Sequence, residues 1–127
     1  MHAENIQEAL DLHIQAFKIA ENPKIMLPVM VNMDGFILTH GLEILDMPSQ
    51  EQVDSFLPAY KPPYNLDVNN PLSFGLVADP DYYTETRFAI KETLNDVLKL
   101  IPSVKDEFTK IFGRESGGLV EEYKTKD

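Results

Sequence analysis

The run Ile25-Met26-Leu27-Pro28-Val29-Met30-Val31 limits the possible folds more than any other stretch of the chain. It is apolar and does not alternate with polar residues, so neither face is marked for water. Such a run reads as a strand buried on both faces, as inside a parallel sheet. Pro28 cannot donate to a ladder, which places it at a strand start or on an edge. Asp34-Gly35 then supplies a turn. Phe36 to His40 extends briefly, and Gly41 breaks it. The rest of the chain offers few strands to pair with this one. Burying Ile25, Leu27, Val29, Met30 and Val31 is worth roughly 1.5–3 kcal/mol each. Their sum is comparable with the ~5–15 kcal/mol net stability of a typical domain. Two or three amphipathic helices cover only one face of such a strand. The expectation is a strand whose sheet lies elsewhere in a longer polypeptide, with the preceding strand upstream of Met1.

The helices are easier to place. Residues 3–21 read as an amphipathic helix whose stripe is Ile6, Leu10, His13, Phe17 and Ala20, widened by Ala9, Ile14 and Ala16. Glu4 and Glu8 suit the positive end of its dipole, and Asn22-Pro23 ends it. Ser49 and Gln52 form a capping box. A short helix follows through Val53, Phe56 and Leu57 until Pro58. Ala59 to Pro71 reads as a long irregular loop, of the kind that is functional or wraps a partner. Leu72 to Ala78 is a minor strand candidate. Asp79-Pro80 opens the best helix. Its buried face is Tyr83, Ile90, Leu94, Val97 and Ile101, continuing through Val104, Phe108, Ile111 and Phe112. Pro102 predicts two helices or one kinked helix, with Gly113 as the stop. Ser116-Gly117-Gly118 reads as a flexible joint, and Leu119 to Tyr123 as the start of another element.

Charge and composition exclude several functions. The formal net charge of -10 repels phosphate backbones, so nucleic acid is not an expected partner. No apolar stretch reaches the length of a membrane span. The N-terminus lacks the basic-then-apolar order of a secretory signal. The chain has no cysteine, which removes disulfides, thiol chemistry and cysteine-ligated iron–sulfur clusters from it. The expectation is a soluble, cytoplasmic protein of one main domain.

Candidate chemistry is sparse. His2 is terminal. His13 lies on a helix and reads as a packed histidine. His40 follows a turn and reads as a hydrogen-bonding residue. No two histidines have metal-ligand spacing. Asp34-Gly35 with Asn69-Asn70 imitates the oxygen donors that hold a magnesium diphosphate. The glycine expected before the aspartate is replaced by Met33, so a turn aspartate is the better account. Glu85, Glu92, Asp96, Glu121 and Glu122 read as solvated charges. No phosphate-binding glycine loop or nucleophile elbow is present.

The wording Phe17 to Glu21, then Leu27 to His40, resembles the 2-oxoacid:acceptor oxidoreductase family, and within it the α subunits of pyruvate:ferredoxin oxidoreductases. Phe56-Leu57-Pro58 with Tyr60 and Pro62-Pro63-Tyr64 continues the resemblance. So do Pro80-Asp81-Tyr82-Tyr83 with Arg87, Phe112-Gly113-Arg114, and Leu119 to Tyr123. Thr39 stands where serine is common, and Glu115 to Gly118 is looser than the usual junction.

The resemblance implies an α/β fold. The chain would be the C-terminal portion of a transketolase-type pyrimidine-binding domain, helix-rich with one main buried parallel strand. Residues 1–113 would belong to that domain, and 114–127 would lead to the next α/β domain. The implied activity is oxidative decarboxylation of pyruvate with coenzyme A to acetyl-CoA, carbon dioxide and reduced ferredoxin. Implied cofactors of the complete enzyme are thiamine diphosphate, Mg2+ and iron–sulfur clusters, none held by this chain alone. Implied partners are the remaining α-subunit sequence, the β, γ and δ subunits or equivalent domains, and ferredoxin. The family's substrate-contacting and cofactor-activating motifs match no position here. No catalytic, cofactor-binding or metal residue is therefore assigned, Arg87 and Arg114 included. The alternatives are a stand-alone dimeric interaction module and a sibling oxidoreductase for branched-chain or other 2-oxoacids.

Overall fold

The computed structural model describes residues 1–75, 77–116 and 118–124. Four helices follow one another: α1 (Ile6–Ala20), α2 (Ile37–His40), α3 (Gln50–Phe56) and α4 (Pro80–Phe112). α1 and α3 each pack on α4. Among the described residues there are no strands, only isolated bridges.

Local signals account for the helix ends. Asn5 caps α1 by accepting from the Glu8 N–H at 2.8 Å. Ser49 caps α3 through a complete capping box. The Gln52 amide also donates to the Ile111 carbonyl at 3.1 Å, so one side chain closes the start of α3 and an end carbonyl of α4. Gly113 takes φ +70 and returns its N–H to the Thr109 carbonyl, the left-handed stop that glycine adopts without a Cβ penalty. Pro80 opens α4, and the helix runs unbroken through Pro102. At about 1.5 Å per residue, its 33 residues span roughly 50 Å.

The core sits where α1, α3 and the second half of α4 meet. It comprises Ile14, Ile19, Phe56, Val104, Phe108 and Phe112. Phe56 meets Phe108 and Phe112 edge-on, with ring centroids 5.5 and 5.6 Å apart, and Phe108 stacks on Phe112 at 4.3 Å. Lys18 closes the edge of this cluster. Its ammonium lies 4.3 Å from the Phe56 ring centre and pairs with Glu107 at 2.6 Å.

The α1 face differs from the expected one. Ala9, Leu12, Ile14 and Ile19 are buried, together with Asp11 and Gln15, while Phe17 is 57% exposed. The buried polar pair finds partners on the segment after α4, which removes the cost of turning it inward. His13, Ala16, Phe17 and Ala20 instead line a shallow groove against Val29 and Val31.

The central buried parallel strand is the main correction. Ile25 is buried, but Met26, Pro28 and Met30 are exposed and Leu27, Val29 and Val31 are half-buried. The segment is extended and pairs in parallel with residues 1–3 only, through the His2–Asn32 bridge. A strand forms when a neighbour meets its N–H and C=O groups. The described residues offer this run a neighbour three residues long. Three smaller differences follow the same logic. Residues 37–40 coil into the single turn α2. Residues 72–75, 77 and 78 form no strand, and Leu76 lies outside the described residues. Residues 118–124 form no helix or strand.

Candidate functional site

α1 carries Gln7, Asp11 and Gln15 four residues apart, so they share one face. That face meets the chain leaving α4. Arg114 grips Asp11 in a fork, Nε to Oδ2 at 2.9 Å and Nη2 to Oδ1 at 2.8 Å. Its third nitrogen reaches Asp46 at 2.6 Å. Gln7 ties the same loop down, donating to Asp11 and accepting from the Asp46 N–H at 2.8 Å. Hydrogen bonding to Asp11 holds the Arg114 guanidinium above its ordinary pKa, against the opposing effect of burial. Ser116 is buried and meets Gln15. The expected joint therefore begins with an anchored residue; Gly117 lies outside the described residues. Asp11 and Asp46 were not singled out in the sequence. The signal was the Gln7/Asp11/Gln15 row, which in isolation reads as a wet face.

The geometry is that of a structural clasp. Both Asp11 oxygens are taken by Arg114, leaving no free base. A cleft of about 430 Å³ lies beside it, with Glu4, Glu8, Gln15, Lys105 and Glu121 among its walls. Among the described residues no group of His, Asp or Glu converges to hold a metal ion.

The turn residues are likewise committed to backbone. The Asp34 carboxylate accepts from the N–H of Phe36 at 2.8 Å and of Leu38 at 3.1 Å. The bond from Phe36 is the leading cause that holds its pKa below the ordinary 3.8. A lowered pKa means the charged form supports the α2 turn. This support is present above pH 3.8 and is lost as pH falls further, through the depressed folded value. In a pH titration by NMR, the Phe36 and Leu38 amide shifts should move together with a midpoint below 3.8. A midpoint at or above that value would remove the cap.

The remaining candidates have local roles. His13 Nδ1 lies 2.6 Å from the Ala9 carbonyl, and His40 stacks on Phe36 and contacts Thr39. His2 faces Asn32 across the parallel bridge. Asn69 sits in a turn held by Asp67. Glu85, Glu92 and Asp96 are exposed on α4, where Asp96 pairs with Lys99. Arg87 is also exposed on α4, away from the clasp.

The surface is more informative than the polar clusters. The chain exposes 10213 Å² for its 14.4 kDa, against about 6,800 Å² for a compact monomer of that mass. The excess, roughly 3,400 Å², is larger than one partner's share of a typical obligate interface, about 1,000–2,500 Å². It includes large apolar side chains, with Leu42 and Ile44 fully exposed. None of the described helices is long and apolar enough to cross a membrane.

Comparison with known proteins agrees with this incomplete cover. The family described as "Pyruvate flavodoxin/ferredoxin oxidoreductase, thiamine diP-bdg" matches residues 1–106. The pyruvate synthase subunit PorA of Methanothermobacter thermautotrophicus is 46% identical over 127 residues, covering 100% of this chain and 33% of the relative. PorA of Methanocaldococcus jannaschii is 47% identical over 125 residues, 97% of this chain and 32% of the relative. The ketoisovalerate oxidoreductase subunit VorA of Pyrococcus horikoshii is 40% identical over 121 residues, 94% of this chain and 30% of the relative. The chain thus spans about a third of the length of these relatives. Among the described residues the buried carboxylate of Asp11 is locked to Arg114, and Asp34 caps a turn. By the extent and order of the match, the chain belongs to the thiamine diphosphate-binding family of the pyruvate flavodoxin/ferredoxin oxidoreductases.

Proposed function

We propose that this chain is a working part of the α subunit of a 2-oxoacid oxidoreductase whose substrate is pyruvate. The 46% identity to a pyruvate synthase subunit, over all of this chain, carries the reading. The proposed reaction is oxidative decarboxylation of pyruvate with coenzyme A to acetyl-CoA and carbon dioxide, with ferredoxin reduced. Thiamine diphosphate, Mg2+ and iron–sulfur clusters belong to the assembled enzyme and are held outside the residues described here. The partners are further α-subunit sequence, the β, γ and δ subunits or equivalent domains, and ferredoxin; the compartment is the cytoplasm.

The part played by this chain is architectural. Residues 1–113 form the C-terminal portion of the pyrimidine-binding domain, and 114–127 lead toward the next one. The excess exposed surface supports this reading, because a self-sufficient domain would bury it. Alone, the chain neither binds thiamine diphosphate nor turns over pyruvate. Tight cofactor binding to the isolated chain in calorimetry would overturn that statement.

The identity to VorA favours one other reading, a sibling enzyme for branched-chain 2-oxoacids. A tag on this chain allows anaerobic purification of its assembly and assay of coenzyme A-dependent 2-oxoacid oxidation. Faster reduction of ferredoxin with pyruvate than with 2-ketoisovalerate is the expected result. The reverse order selects the sibling. A complete assembly inactive on both rejects the enzymatic reading, and a cooperative dimer of the chain alone would then favour a stand-alone interaction module.

A further inference from the structure

α4 carries one seam that the fold uses only in part. Apolar side chains recur at alternating steps of four and three, with Arg87 at one step: Tyr83, Arg87, Ile90, Leu94, Val97, Ile101, Val104, Phe108 and Ile111. This is a heptad pattern, the spacing at which one helix packs along another. Its second half is satisfied inside the chain: Val104 and Phe108 are buried against α1 and α3, with Val97, Ile101 and Ile111 packed around them. Its first half is largely bare: Ile90 is half-buried, while Tyr83 is 55% and Leu94 52% exposed. The helix stays continuous across Pro102, so the bare half belongs to the same helix as the docked half. Arg87 interrupts the bare half with a charge, and among the described residues it has no ion-pair partner.

We propose that the seam from Tyr83 to Leu94 docks an amphipathic helix bearing a carboxylate opposite Arg87, supplied by α-subunit sequence of the kind the relatives carry outside the matched third. This rests on the assembled role proposed above. Three observations select the occupant. The docked half already receives helices, so the same ridge continued calls for another helix. A desolvated arginine needs an opposed carboxylate, which fixes the register of that helix. A second copy of α4 fits poorly: parallel pairing sets Arg87 against Arg87, and antiparallel pairing of Ile90 with Leu94 brings the two Lys91 side chains together. Sequence outside the matched third amounts to about two thirds of the relatives' length, ample for such a helix.

The test uses the purified assembly with a photo-crosslinking residue at position 94, and a control at exposed Asp106. The expected adduct is a helical α-subunit peptide with Asp or Glu within one turn of the crosslink. Arg87→Glu should then weaken association of that segment about thirtyfold or more, and exchanging the partner carboxylate for Lys should restore it. Arg87 is exposed, so its replacement leaves the core intact. An adduct to α4 of a second copy, to another subunit, or to nothing overturns the proposal. 2-Oxoacid oxidation by the same preparation scores the enzymatic reading separately, so an active assembly without the adduct rejects the seam alone.

Discussion

Phe108→Ala is expected to lower the unfolding free energy by about 3–5 kcal/mol. Phe108 is 0% exposed and belongs to the cluster that joins three helices. Truncation removes the transfer energy of the ring and leaves a cavity that these helices cannot easily close. Phe56 and Phe112 lose their aromatic partner as well, each such pair being worth about 0.5–1.5 kcal/mol beyond its area. Phe56 cannot swing into the space without releasing Lys18, whose ammonium rests on its ring and donates to its carbonyl. Against a typical net stability of ~5–15 kcal/mol, the loss threatens the folded state. Phe88→Ala is the internal control: the same change on the same helix at a 62% exposed position, where a shift within about 0.5 kcal/mol is expected. Urea unfolding of both variants should move the midpoint for Phe108→Ala only. Equal shifts would mean that the aromatic cluster is not the core.

Signals confined to a few residues were legible. Ser49 with Gln52, Pro80 and Gly113 each act through backbone chemistry within one turn, and each placed a helix end. The aromatic positions Phe56, Phe108 and Phe112 were legible because helical spacing carried them. The reading failed where the deciding partner is distant. Asp11 turns inward because Arg114, 103 residues later, meets it; no window on α1 contains that fact. The Ile25 to Val31 run was read as a strand because its side chains want burial, but hydrogen-bonded neighbours make a strand, and residues 1–3 supply only one bridge. The first half of α4 was read as buried from periodicity alone. The pattern is real and its cover is missing from the described residues, which is why it points outward to a partner. The functional family was legible through whole-chain wording rather than through any site residue.

Asp11→Ala should destabilise the chain by about 3–5 kcal/mol, the usual cost of stripping one partner from a buried ion pair. The Asp11 side chain is 7% exposed and that of Arg114 is 20% exposed. Without the carboxylate, the guanidinium keeps one ion pair, to Asp46, whose side chain is 77% exposed, and its place 5.8 Å from the Phe112 ring centre. That outer limb is worth little, at most about 1 kcal/mol, because water competes for both charges. Asp46→Ala should therefore move the unfolding midpoint far less than Asp11→Ala. The raised pKa of Arg114 sets the pH behaviour. A cation whose folded pKa is raised contributes fully below its ordinary value and loses that contribution only as pH rises through the higher one. The guanidinium side of the clasp should thus hold constant across neutral pH and weaken only in strong alkali. Replacing both partners with apolar residues, Asp11→Leu with Arg114→Met, should recover most of the loss, because the penalty lies in the stranded charge more than in the missing bond. A double variant as unstable as Asp11→Ala would show instead that the clasp works through its fork geometry, holding the Asp46 loop and the exit from α4 against α1.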